Sequence, residues 1–158
     1  MKKLLLITLL ISNYHMYGAN FEVKMLNQGQ DGVMVFEPSL LKINVGDTVT
    51  FKATDAAHNS ASIPGMIPNG ASSWNGDLSK DISVTFDVPG VYGYQCTPHA
   101  MMAMAGIIQV SDTNNKSEMK EAVDKFEATV MVPNAKTSIL SEPKWAHACS
   151  YCFGVQKN

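Results

Sequence analysis

Short apolar runs with period-two alternation or β-branched enrichment, separated by turn residues, fill the chain from Phe21 to Val110. Phe21 to Asn27 is the first run, and Gln28 to Gly32, with two Gly and an Asp, is the turn that follows. Met34 to Phe36 is the second. Pro38 breaks pairing before Leu41 to Val45, and Gly46-Asp47 turns the chain into Thr48 to Ala53, where Val49 and Phe51 share a face. Ile82 to Val88 alternates likewise, Pro89-Gly90 turns it, Val91 to Gln95 returns, and Gly106 to Val110 closes the series. About seven short strands with little helical periodicity predict two sheets packed face to face, an all-β Greek-key sandwich. Between them, residues 55–80 carry Pro64, Gly65, Pro68, Gly70 and Gly76, which predicts a long connection with a short helix or an edge strand. Long loops on rigid sandwiches often carry function.

The pattern changes at both ends. Met119, Ala122, Val123 and Phe126 fall at i, i+3, i+4 and i+7, which predicts a helix capped by Asn115, within a partly helical C-terminal extension over residues 113–158. At the start, Lys2 and Lys3 precede the eight-residue apolar run Leu4 to Ile11, too short to span a bilayer. Residues 1–19 therefore read as a secretory signal peptide, with the small residues Gly18 and Ala19 at the cut and a mature start near Asn20. The sandwich domain is expected over residues 20–112, in an exported, oxidising compartment.

Composition narrows the function classes. At 158 residues with 46% hydrophobic and 16% charged, the chain supports one domain with a real core rather than a disordered or fibrous one. All 12 cationic residues are Lys, and losing Lys2 and Lys3 leaves a net charge of −4, so nucleic-acid binding is not expected. No second segment approaches membrane-spanning length.

Candidate chemistry gathers in Cys96-Thr-Pro-His99-Ala-Met-Met-Ala-Met104, between two predicted strands. A thiolate, an imidazole and a thioether from one loop suit copper better than magnesium or calcium, which favour oxygen ligands. His58, at the exit of the Thr48 to Ala53 strand, offers a second imidazole if loops cluster at one end of the sandwich. Two His and a Cys with a weak axial Met form the ligand set of electron-transfer copper centres. Taken singly, each residue has a plainer reading: a disulfide half for Cys96, loop histidines at 58 and 99, core filler for Met101, Met102 and Met104. Their co-occurrence at this spacing favours copper. No general base stands beside an activated nucleophile, so no catalytic residue is expected.

These residues belong to longer segments, namely Met25-Leu-Asn27, Met34-Val-Phe-Glu-Pro38, Gly46-Asp-Thr-Val-Thr-Phe51, His58-Asn59, Met66-Ile-Pro68 and Tyr94-Gln-Cys96-Thr-Pro-His99. In that order and spacing, residues 21–112 resemble the pseudoazurins, small periplasmic blue-copper proteins of the cupredoxin group. The resemblance implies one copper ion per chain, held by His58, Cys96, His99 and Met104, with Met102 the non-ligand methionine. It also implies that Asn59 bridges the two ligand loops and that His99 is the electron port. Pro98 has no N–H to offer the Cys96 sulfur, an expectation of fewer donors and a lower potential. Partners implied are redox proteins, a copper nitrite reductase or a cytochrome. The chain departs from the family at Gln28 and Gln95, where Lys often steers acidic partners.

Two features stand apart. Cys149 and Cys152 lie in a tail that reads as a local disulfide or an unstructured extension before a second metal site, and Phe153 excludes covalent haem attachment. The Met-rich loop also suits a copper-delivery or storage protein, the rival to an electron carrier.

Overall fold

The computed structural model describes residues 18–111 and 116–131, so the signal-peptide segment before Gly18, the Asn115 cap and the Cys149/Cys152 tail lie outside the described residues. Within them the strands are β1 (Asn20–Gly29), β2 (Gly32–Glu37), β3 (Leu40–Ile43), β4 (Thr48–Lys52), β5 (Ala61–Ser62), β6 (Ile82–Thr85), β7 (Gly90–Gln95) and β8 (Ala105–Val110). A 3-10 helix (Thr97–Met102) joins β7 to β8, and helix α1 (Lys116–Thr129) follows. One sheet has the order β2-β1-β4-β6 and the other β3-β8-β7-β5. Each contains one parallel pair, β1 with β4 and β3 with β8, because the chain passes repeatedly from one sheet to the other in Greek-key fashion.

The first hairpin is tighter than the composition of its turn suggests. Strands run on to Gly29 and restart at Gly32, which face each other across the two-residue turn Gln30-Asp31. Pro38 ends β2 and the chain crosses to the second sheet. The long connection holds an edge strand, β5, paired antiparallel to β7 as Ala61↔Gln95 and Ser62↔Tyr94. That pairing brings the segment after His58 alongside the strand that ends at Cys96.

Between the sheets, Phe36, Phe51 and Tyr94 pack edge to face, with ring centroids of Tyr94 4.7 Å from Phe36 and 5.0 Å from Phe51. Val23, Met25, Val49, Ile108, Cys96 and Met104 belong to the same buried cluster. Both ends of the Cys96–Met104 loop therefore sit in the core itself. A second cluster joins Ile63, Met66, Val91 and Ile107 to Val123, Phe126 and Val130, so α1 covers the outer face of the second sheet. This explains why β7 and β8 lack clean alternation: both faces are covered, and adjacent residues such as Ile107 and Ile108 serve different cores.

One close approach supports the ligand strand. A Cβ at Gly106 would run into the Tyr94 ring and lie 2.8 Å from the Ser39 carbonyl, so only glycine fits opposite the fully buried Tyr94. Gly106→Ala is expected to lower unfolding free energy by about 1–3 kcal/mol through overpacking, measured by urea denaturation. A variant as stable as the parent would show that the sheet yields there at no cost.

Candidate metal centre

His58 lies in the connection between β4 and β5, fixed by its backbone. Its carbonyl accepts the Ser79 amide at 2.8 Å, and the Ala57 amide donates to Ser79 Oγ at 2.8 Å. Cys96 follows β7 directly, in extended conformation, and starts the 3-10 helix. Pro98 takes a position in the first turn of that helix, where a missing N–H costs nothing. Ala103, in the left-handed region at φ 63°, then folds the chain back, with its amide on the Ala100 carbonyl at 2.9 Å. The loop closes on itself because the Cys96 amide donates to the Met104 carbonyl at 2.9 Å and the Met104 amide to the His99 carbonyl at 3.3 Å. Cys96 and Met104, eight residues apart in sequence, thus share the base of one loop, and both side chains are fully buried.

Across this loop stands His58. Its Nδ1 lies 3.6 Å from Cys96 Sγ and 3.1 Å from His99 Nδ1, and Cys96 Sγ lies 3.4 Å from His99 Nδ1. His58 and Cys96 are buried while His99 is half-buried. The other nitrogen of His58, Nε2, is 3.0 Å from Asn27 Oδ1, an acceptor, which assigns the ring proton to Nε2 and leaves Nδ1 as a lone pair. Three donor atoms thus converge on one buried point. Burial, and secondarily the charge of a protonated His99, hold the His58 pKa below the usual imidazole value. Burial pushes the Cys96 thiol above its usual value, opposed in part by the nearby Asn59 and His99 backbone amides.

Asn59, 4% exposed, ties the two loops together. Its Oδ1 accepts the Thr97 amide at 2.8 Å, while Nδ2 reaches Thr97 Oγ1 at 3.1 Å, the Gly76 carbonyl at 3.1 Å and Asn75 Oδ1 at 3.3 Å. Beside it, buried Ser60 accepts Trp74 Nε1–H at 3.0 Å, and the indole stacks on Phe51 at 6.0 Å. The residues that surround the donor atoms are thereby fixed to the core.

Of the methionines, Met104 is buried, Met102 is half-buried and Met101 is 53% exposed, its carbonyl accepting the Met131 amide at 2.8 Å. Asn27 escapes sequence reasoning. A signal for it exists in the alternation: it follows buried Val23 and Met25 at i+2 on the same face of β1, at the exposed end of that row. Asn27→Ala is expected to release the His58 ring and weaken metal binding about 10- to 100-fold, measured by competition with a chelator of known affinity. An unchanged affinity would show that packing alone orients the ring.

A soft buried set of two imidazoles and a thiol at one end of a two-sheet sandwich defines a small copper protein by its donor chemistry. The comparisons agree. A family model described as copper binding proteins, plastocyanin/azurin family, matches residues 23–111. A putative pseudoazurin of Rhizobium leguminosarum bv. viciae is 46% identical over 104 residues, covering 66% of this chain and 68% of the relative. The pseudoazurin of Methylorubrum extorquens is 40% identical over 107 residues, covering 68% of this chain and 72% of the relative. A solved pseudoazurin structure from Sinorhizobium meliloti superposes with a TM-score of 0.66 at 38% identity, covering 80% of this chain and 97% of that one. The chain belongs to the plastocyanin/azurin family of copper-binding proteins, and within it to the pseudoazurins. Its cofactor is copper, and it is an electron carrier rather than an enzyme.

Proposed function

We propose that the chain is an exported, periplasmic one-electron shuttle whose single copper ion is held by His58, Cys96, His99 and Met104, serving a redox enzyme or cytochrome. The observation that carries the ligand assignment is the approach of His58 Nδ1, Cys96 Sγ and His99 Nδ1 to within 3.1–3.6 Å of one another, with buried Met104 at the base of the same loop. Two imidazole lone pairs and a sulfur so close repel unless a proton or a cation lies among them, and soft donors select copper. When bound, copper supplies a one-electron couple. The chain supplies rigidity: Asn59 and the Cys96–Met104 backbone bond hold the donor atoms in place whichever oxidation state is present, which lowers the reorganisation that opposes transfer.

His99 is the port in this reading. It is the one of the three donors with an exposed edge, beside exposed Met101, whereas His58 has no exposed surface. Export rests on the charged and apolar pattern of residues 1–19; among the described residues no helix is long and apolar enough to cross a membrane.

Visible spectroscopy with voltammetry of the copper-loaded protein tests the proposal. A carrier turns intensely blue or green and cycles reversibly, whereas a delivery protein binds Cu(I) preferentially and stays pale. For the partner, a copper nitrite reductase is the specific candidate. Gln95 and Gln28 remove two cations that would steer an acidic surface, so an association rate that does not fall as salt rises would rule out basic steering.

A further inference from the structure

Ala19, the residue before β1, is held at both of its backbone groups. Its amide nitrogen lies 2.7 Å from Asp47 Oδ1, and its carbonyl accepts the Thr48 amide at 2.9 Å. Asp47 is only 4% exposed, and its second oxygen accepts the Asn44 amide at 2.7 Å. A carboxylate so far from water is costly unless strongly partnered, and a cation is a better partner than a neutral amide. The preceding residue is Gly18, whose missing side chain lets the chain pass against the Gly46 carbonyl. Gly18 is also a small residue of the kind an export peptidase accepts just before its cut. Both Gly18 and Ala19 are exposed.

We propose that export processing cuts the Gly18–Ala19 bond, and that the new α-ammonium of Ala19 is the partner Asp47 keeps in the mature protein. In the step, water adds to the Gly18 carbonyl carbon and the C–N bond breaks. The leader departs with a terminal carboxylate, and the Ala19 amine takes up a proton. The nitrogen already lies within charge-assisted hydrogen-bond distance of Asp47 Oδ1. This places the mature start one residue before the Asn20 expected from the small residues Gly18 and Ala19. A cut after Ala19 would strip the Thr48 amide and Asp47 Oδ1 of these partners at the point where β1 and β4 begin to pair, Asn20↔Thr48. A cut further upstream would leave a neutral amide facing Asp47.

The inference rests on the export reading above, and N-terminal sequencing of the full chain expressed in an exporting host separates the two. Exported protein beginning Ala-Asn-Phe supports the cut. A first residue of Asn20, or one before Ala19, overturns it while leaving export intact, and a chain recovered uncut overturns both. The pairing has its own readout, the rate at which an amine-selective acylating reagent modifies the terminal amine at neutral pH. Because only the unprotonated amine reacts, Asp47→Asn is expected to raise that rate about tenfold, the effect of a shift of one pKa unit. Equal rates would mean that the ammonium does not pair with Asp47, and the sequencing result does not depend on whether this variant folds.

Discussion

Cys96→Ser is expected to abolish the intense visible absorption of the copper-loaded protein while leaving the sandwich folded. Colour in such a centre belongs to the copper–thiolate bond, and a serine hydroxyl is neither soft nor ionised at neutral pH. Sulfur and oxygen differ little in size here. The buried hydroxyl, in reach of the His58 and His99 Nδ1 atoms that face the sulfur, costs about 1–3 kcal/mol at most. Titration with Cu(II) followed by absorption, with circular dichroism on the same samples, separates loss of the ligand from loss of the fold. A variant that keeps both its colour and its circular dichroism would remove Cys96 from the site.

The second large effect is expected at Asn59. Asn59→Ala withdraws the acceptor of the Thr97 amide and the donor of the Gly76 carbonyl, Asn75 and Thr97 Oγ1 contacts in one change. Leaving part-buried polar groups unpaired costs about 1–3 kcal/mol each, and water can reach exposed Thr97, so a total loss of about 2–4 kcal/mol in urea denaturation is expected. The loosened loop should also slow electron self-exchange, since the donor atoms then move more between oxidation states. Asn59→Asp keeps an oxygen for the Thr97 amide and is expected to recover part of the stability. Should Asn59→Ala unfold at the parent midpoint and exchange electrons as fast, the bridge between the loops has no mechanical role.

What could be read from the sequence, and what could not, follows from the range of the forces involved. Period-two alternation reports local burial, so β1, β4 and β6 were legible in outline, while β7 and β8, covered on both faces, were legible as short apolar runs between turn residues, and the helical face carrying Val123 and Phe126 by its own period. The two-residue hairpin turn was missed because Gly29 and Gly32 look like turn residues yet pair across it. β5 has only two residues, and its existence depends on the neighbouring edge of β7 rather than on its own composition. At the site, chemistry made the donor set legible: few residue types are soft ligands, and three of them fall in one loop. Asn27 was not, because an Asn is ordinary in sequence and acquires its role only when β1 meets the loop that carries His58, 31 residues on. The bond from Ala19 to Asp47, 28 residues away, was hidden for the same reason.

A crystal structure of the copper-loaded protein, with anomalous scattering measured at the copper edge, tests the assignment most directly. The account predicts one anomalous peak per chain, within bonding distance of His58 Nδ1, His99 Nδ1 and Cys96 Sγ, with the Met104 sulfur as a longer fourth contact. A peak on the exposed sulfurs of Met101 and Met131, or one that His58 Nδ1 does not touch, would contradict it.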